Sequence, residues 1–177
     1  MFPAEIHSAV RAMTDRLARE SSDAGHAEAL SVVLDTHIVM ECFHWRDPAA
    51  GALREAIEAG RVRPVVSEET MLELAGVLSR PAFGLGNDEV IAILGTFAAL
   101  ARLVSREALE AAASGLSVRC RDPEDQKFLT LAAAAGARLL VTRDRLLRKA
   151  AKRLRPMGVV TITTDEFERT LAETRKE

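Results

Sequence analysis

Ser31-Val32-Val33-Leu34-Asp35-Thr36-His37 is the stretch from which the fold can be read. A short apolar run that ends in an aspartate reads as a buried strand of a parallel sheet, with Asp35 at its carboxyl end. In open α/β sheets, ligands bind beyond the carboxyl ends of the strands. Asp35 is therefore a candidate site residue. The ordinary alternative is an aspartate that opens a turn after a strand. Acids at the ends of later strands tip the balance.

Working outward, the same alternation runs down the chain. Residues 37–43 read as a helical turn or two. Asp47-Pro48 opens a helix, with Pro at a permitted first position, that Gly60 ends. Residues 63–66 read as a second strand. Ser67 caps the next helix, with Glu68 and Glu69 in its first turn and Met71, Leu74, Ala75 and Leu78 on its apolar face. Pro81 and Gly84 stop it. Asn87-Asp88 starts a helix that is apolar nearly all round, from Val90 to Ala101. Such a helix is buried on more than one side, and a homodimer interface is the expectation for its second side. Residues 103–104 read as a short strand, and 121–125 lead into an alanine-rich helix capped by Gly136. A strand at 138–142, a helix to about 154, a strand at 159–162 and a closing helix from 164 complete the chain. Helices alternating with short apolar strands predict an α/β fold, a three-layer α/β/α sandwich around a parallel sheet. In residues 1–30, Ile6, Val10, Met13 and Leu17 recur at helical spacing before a break at 21–25. This segment is expected to be an N-terminal helical extension and linker, with the domain proper at 31–177.

Composition bounds the function. The chain has 177 residues, 48% hydrophobic and 28% charged, which describes one folded domain rather than a disordered chain. A net charge of −2 gives no global pull toward nucleic acid, so any such binding needs a local basic patch. Cys42 and Cys120 fit no metal spacing and read as free thiols of a reducing compartment. No stretch is apolar for long enough to span a membrane, and no signal peptide opens the chain, so a cytoplasmic protein is expected.

Four carboxylates fall where the crevice should be: Asp35, Glu73, Asp125 and Asp144. Gathered carboxylates repel one another and need a counter-charge. Mg²⁺ supplies one with few protein ligands, because it keeps several waters. A metal there lowers the pKa of a bound water and stabilises charge on a phosphate under in-line attack. Each acid also has an ordinary reading. Asp122 suits an N-cap ahead of Pro123, Asp125 a helix first turn, Asp144 a cap for the helix from Arg145, and Glu73 a solvated helix face. After Asp144, Arg145, Arg148, Lys149, Lys152 and Arg153 fall at offsets of 0, 3, 4, 7 and 8, on one helix face. Arg143 and Arg155 extend the stripe, and Leu146, Leu147, Ala150 and Leu154 take the other face. A phosphate backbone needs such a stripe beside a metal site. Trp45 and Phe43 are the nearest aromatics for base stacking.

At this point the residues resemble a family. Val33-Leu34-Asp35-Thr36-His37 resembles the opening motif of PIN-domain ribonucleases, which usually reads V-L-D-T-N. The stretches 67–74 with 77–81, 121–129 and 140–147 resemble the second, third and fourth motifs in order. The resemblance covers about residues 32 to 165 and is closest to the branch of toxins from bacterial toxin–antitoxin pairs. It implies Mg²⁺- or Mn²⁺-dependent endonucleolytic cleavage of single-stranded RNA, a cognate antitoxin protein, and Asp35, Glu73, Asp125 and Asp144 as metal ligands with Asp122 accessory. Two positions depart from the pattern. His37 replaces an Asn that steadies the first Asp by a hydrogen bond, and a supporting role is expected for it ahead of direct ligation. Arg143 stands where a small residue is usual and suits a phosphate contact. Thr142 is expected to hydrogen-bond behind the metal ligands. Two other readings stay open. One is a weakly active or inactive module that holds a protein partner through the 89–101 helix and the N-terminal segment. The other is a nuclease for structured DNA, which would call for longer basic insertions.

Overall fold

The strand that opens the domain lies at the centre of a parallel sheet. The computed structural model describes residues 2–21 and 29–174, so most of the linker expected at 21–25 lies outside the described residues. The strands are β1 (Leu30–Leu34), β2 (Val62–Val66), β3 (Arg102–Leu103), β4 (Leu139–Val141) and β5 (Val160–Ile162), in the order β3-β2-β1-β4-β5. Every pairing is parallel. The helices are α1 (Ala4–Ser21), α2 (Thr36–Phe43), α3 (Gly51–Glu58), α4 (Glu68–Leu78), α5 (Asn87–Leu100), α6 (Arg106–Gly115), α7 (Gln126–Ala135), α8 (Arg145–Ala151) and α9 (Phe167–Thr174). Helices cover both faces, so the three-layer α/β/α reading holds.

Side chains alternate across a strand, and here the alternation divides the core in two. Val32, Leu34, Val62, Val66, Leu139 and Val141 join Ile38, Met71 and Leu94 on one face. Val33, Val65 and Leu140 meet Phe128, Leu129, Leu147 and Leu154 on the other. Local signals act where expected. Asp47 caps the turn at Pro48 by accepting from the Ala49 N–H at 2.8 Å. Ser67 and Thr70 form a reciprocal capping box on α4. Gly136 ends α7 with a φ of +57°, a conformation that costs glycine nothing.

Three readings change. The second side of α5, assigned to a dimer partner, is covered within the chain. α1 packs on α4, α5 and β3, and Ile6, Val10 and Leu17 enter the same core as Leu94 and Phe97. The outward positions of α5 are the small residues Ala92, Thr96 and Ala99, so the argument for a dimer loses its ground. Residues 106–115, left unassigned by pattern, form α6 behind a Ser105 cap that accepts from the Ala108 N–H at 3.2 Å. Finally, the helix after Asp144 tightens to a 3-10 helix at Lys152–Met157, which breaks the single basic face expected from 3.6-residue periodicity. Leu146, assigned to the apolar face, is 40% exposed.

Candidate active site

The order β3-β2-β1-β4-β5 has its topological switch between β1 and β4, the place where α/β sheets build ligand crevices. β1 and β4 are in register from Val32 opposite Leu139 to Leu34 opposite Val141. The Asp35 N–H then donates to the Val141 carbonyl at 3.1 Å. This brings Asp35 beside Thr142, which is fully buried. The Thr142 hydroxyl donates to Asp35 Oδ2 at 2.5 Å and accepts from the Asp144 N–H at 3.0 Å. One side chain thus ties the first acid to the loop that carries the last.

Three of the acids cap helices while lining this crevice. Asp35 Oδ1 accepts from the His37 N–H at 3.4 Å at the start of α2. Asp144 Oδ1 accepts from the Leu147 N–H at 2.7 Å at the start of α8. Asp122 Oδ1 accepts from the Glu124 N–H at 3.0 Å at the turn that leads into α7. The ordinary capping readings therefore hold together with the site reading. Helix N-termini carry partial positive charge, and these fixed dipoles offset part of the repulsion among the carboxylates. Asp35, His37, Asp122, Asp125, Arg143 and Asp144 line a cavity of about 380 Å³.

Asp125 differs from the other three. Its carboxylate accepts no hydrogen bond among the described residues. Burial, and then the charges of Asp35, Asp144, Asp122 and Glu73, push its pKa up to about 6. Burial also raises Asp35 above the usual carboxylate range, against the Thr142 hydroxyl and the His37 N–H, which hold it down. Negative charge here is uncompensated, which is the condition a cation relieves.

Glu73 stands apart from the cavity lining. Its Oε1 accepts from the Thr36 hydroxyl at 2.6 Å, and its Oε2 meets Lys127 Nζ at 2.7 Å. Lys127 projects from α7 with its side chain only 7% exposed. Burial alone would lower the Lys127 ammonium, but the bond to Glu73 outweighs it and raises the pKa. Sequence reasoning missed this internal counter-ion. His37 also behaves differently from the expectation of side-chain support. Its backbone N–H reaches Asp35, while its imidazole faces Glu41 Oε1 at 3.6 Å and the Trp45 ring at a centroid distance of 5.0 Å.

The basic residues divide in the same way. Arg143, read as a phosphate contact, is bound within the protein: Nε to Glu41 Oε1 at 2.7 Å, Nη1 to Asp165 Oδ2 at 3.1 Å and Nη2 to Thr164 Oγ1 at 2.5 Å. Arg148 meets Glu166 Oε2 at 3.4 Å. Among the described residues Arg145, Lys149 and Lys152 are exposed and have no ion pair. Of the aromatics, Phe43 packs against Phe97 at 5.5 Å between centroids, whereas Trp45 is 43% exposed.

Comparison with family models finds the PIN domain over residues 31–146, which is most of the chain and contains every acid of the crevice. This chain belongs to the PIN domain family. Comparison with curated proteins finds no match. PIN domains are nucleases in general, which supports nuclease chemistry and nucleic-acid binding here, and they typically use divalent metal ions. Among the described residues, no three His, Cys, Asp or Glu side chains stand close enough to form a ready-made metal cage. The donor chemistry of this PIN domain nevertheless fits Mg²⁺ or Mn²⁺. The acids offer hard oxygens only, the Asp125 carboxylate accepts no hydrogen bond among the described residues, and Mg²⁺ is commonly held by one or two carboxylates with several waters. No described helix is long and apolar enough to cross a membrane.

Proposed function

We propose that this PIN domain is a divalent-metal-dependent endoribonuclease that cuts single-stranded RNA, and that it is the toxin of a toxin–antitoxin pair whose antitoxin protein is its partner. The observation that carries the reading is the convergence of Asp35, Asp122, Asp125 and Asp144 on one cavity at the switch point of a PIN sheet. Asp35, Asp125 and Asp144 would hold Mg²⁺ or Mn²⁺, with Asp122 accessory. The bound ion supplies neutralisation of phosphate charge and a water acidic enough to attack at neutral pH. The protein's own contribution is orientation. Thr142 fixes the rotamer of Asp35 and the path of the Asp144 loop, and the helix caps aim three carboxylates into the cavity. Glu73 sits at the margin, held by Thr36 and Lys127, and on this reading is an anchored neighbour of the ligands rather than one of them. The short basic surface, without long insertions, suits a flexible single strand better than a duplex.

The test is cleavage of a labelled single-stranded RNA by purified protein with Mn²⁺, Mg²⁺ or EDTA, beside Asp35→Asn and Asp125→Asn. Cleavage that requires metal and disappears in both variants supports the reading. Absence of cleavage together with absence of Mn²⁺ binding by calorimetry refutes it. The toxin role predicts growth arrest on expression, relieved by co-expression of an adjacent small reading frame.

A further inference from the structure

The cations on the two flanks of α8 are matched differently. Toward the turn Thr164–Glu166, Arg143 and Arg148 are neutralised by Glu41, Asp165 and Glu166. On the opposite flank, Arg121, Lys149 and Arg153 are exposed and have no ion pair among the described residues. Among the described residues Arg119 donates only to the backbone carbonyls of Leu116 and Val118, which leaves its charge without an acid there. These four cations surround a cavity of about 240 Å³ whose remaining lining is Leu146 and Ala150.

No acid lines this cavity, and its apolar floor includes one of the few large hydrophobic side chains the described surface exposes. The stems of Lys149 and Arg153 add apolar wall, because long basic side chains lay their methylenes along such surfaces. Sites that enclose whole small ligands span roughly 300–1,000 Å³, so this cavity suits a single flat group with anions on either side. Its position is set by the chain. Arg121 directly precedes Asp122, and Leu146 follows closely on Asp144, so the acidic cavity and this one share both stretches.

We propose that this cavity takes one nucleotide of single-stranded RNA beside the cleavage position. The base or ribose lies against Leu146 and Ala150, and the flanking phosphates meet Lys149, Arg153 and Arg121. The inference rests on the RNA reading above and adds where the strand leaves the acids. An acidic protein segment is the competing occupant, but an apolar floor ringed by cations, on stretches shared with the acidic cavity of a PIN domain, favours RNA.

The test measures binding without cleavage, by fluorescence anisotropy of a short labelled single-stranded RNA in EDTA across a salt series. The variants are Lys149→Gln/Arg153→Gln, Leu146→Ser, and a charge-matched control, Arg11→Gln/Arg16→Gln, on α1 beyond the β3 edge. Each phosphate contact to a single strand contributes about 0.7 to the slope of log K against log salt. Losing two contacts lowers the slope by about 1.4, or about 25-fold in affinity at 0.1 M salt relative to 1 M. The expected result is that loss in the pocket pair, a several-fold loss with unchanged slope in Leu146→Ser, and no change in the control. Equal losses in the pocket pair and the control would show general charge attraction and overturn the pocket. Tight RNA binding by the original protein and undiminished binding by both pocket variants would overturn the pocket while leaving the RNA reading intact. If no RNA binds, with or without Mn²⁺, the RNA reading itself fails. Binding of a poly-glutamate peptide, but not RNA, that the pocket pair abolishes would assign the cavity to a protein partner instead.

Discussion

Replacing Lys127 with Met tests whether Glu73 is anchored by a counter-ion. The pair is close, with Nζ and Oε2 at 2.7 Å, the Lys side chain 7% exposed and the Glu side chain 30% exposed. Two unit charges about 4 Å apart attract by about 4 kcal/mol at an effective dielectric of 20, before desolvation is subtracted. Exposed pairs retain about 0–1 kcal/mol, and breaking a fully buried pair costs about 3–5 kcal/mol. A buried lysine beside a partly wet glutamate falls between, at about 2 kcal/mol. In a domain of this size each kcal/mol moves the melting temperature by about 2–4 °C, so Lys127→Met should melt about 4–8 °C lower. Glu73→Gln keeps an acceptor for the Thr36 hydroxyl but strands the ammonium, and should cost a similar amount. The double variant removes both charges and should cost clearly less than the sum, with a coupling of about 1–2 kcal/mol. Thermal unfolding followed by circular dichroism at pH 7.5 in EDTA reads all four proteins. Additive costs, or a Lys127→Met protein within about 0.5 kcal/mol of the original, would refute the anchoring argument and return Glu73 to the candidate ligands.

Asp125 gives a pH test. Its pKa is about 6 in the folded protein against an ordinary 3.8, so the folded state binds the proton more tightly than the unfolded chain. Its contribution to stability is present below about pH 4 and is lost as pH rises through 6. Asp125→Asn should therefore raise the metal-free melting temperature at pH 7.5 and leave it unchanged near pH 4, in scans at both pH values. Mn²⁺ at about a hundred times its Kd should stabilise the original protein by about 2.7 kcal/mol, and a melting scan of Asp125→Asn should show most of that gain gone. Thr142→Val keeps the shape but strands the buried carboxylate and N–H that Thr142 joins; a loss of about 1–3 kcal/mol is expected from the urea midpoint, with Thr142→Ser recovering much of it. Ile6→Ala removes a side chain that is 1% exposed and should cost about 2–5 kcal/mol in the same assay, an effect that a loosely attached α1 would not show.

The elements legible in the sequence are those whose signals are local. Asp47, Ser67, Asp122 and Asp144 each announce a helix start, because a capping side chain needs only the next turn of its own chain. Apolar alternation reads the strands for the same reason, and a parallel order follows from helices between them. α6 escaped because none of its residues is buried, so hydrophobic periodicity had little to show. The α1–α5 contact was half visible. Both helices carried an apolar face without a local partner, and two such faces in one chain are a reason to join them before invoking a second copy.

Charge partners escaped for a different reason. Four acids could be counted, but their counter-ions are brought in by topology. Lys127 sits in an alanine-rich helix and looks like a solvated residue until α7 packs near α4 and buries it against Glu73. Arg143 looked available for phosphate because it follows a strand beside the site. Yet β5 pairs with β4, so Thr164 and Asp165, just past the end of β5, must lie beside Arg143, just past the end of β4. That neighbour relation follows from strand order alone. A basic residue after one strand should therefore be tested against the acids after the adjacent strands before it is assigned to a ligand. Applied here, that rule removes Arg143 and Arg148 and leaves Arg145, Lys149, Lys152, Arg153 and Arg155 of the original stripe without an ion pair among the described residues.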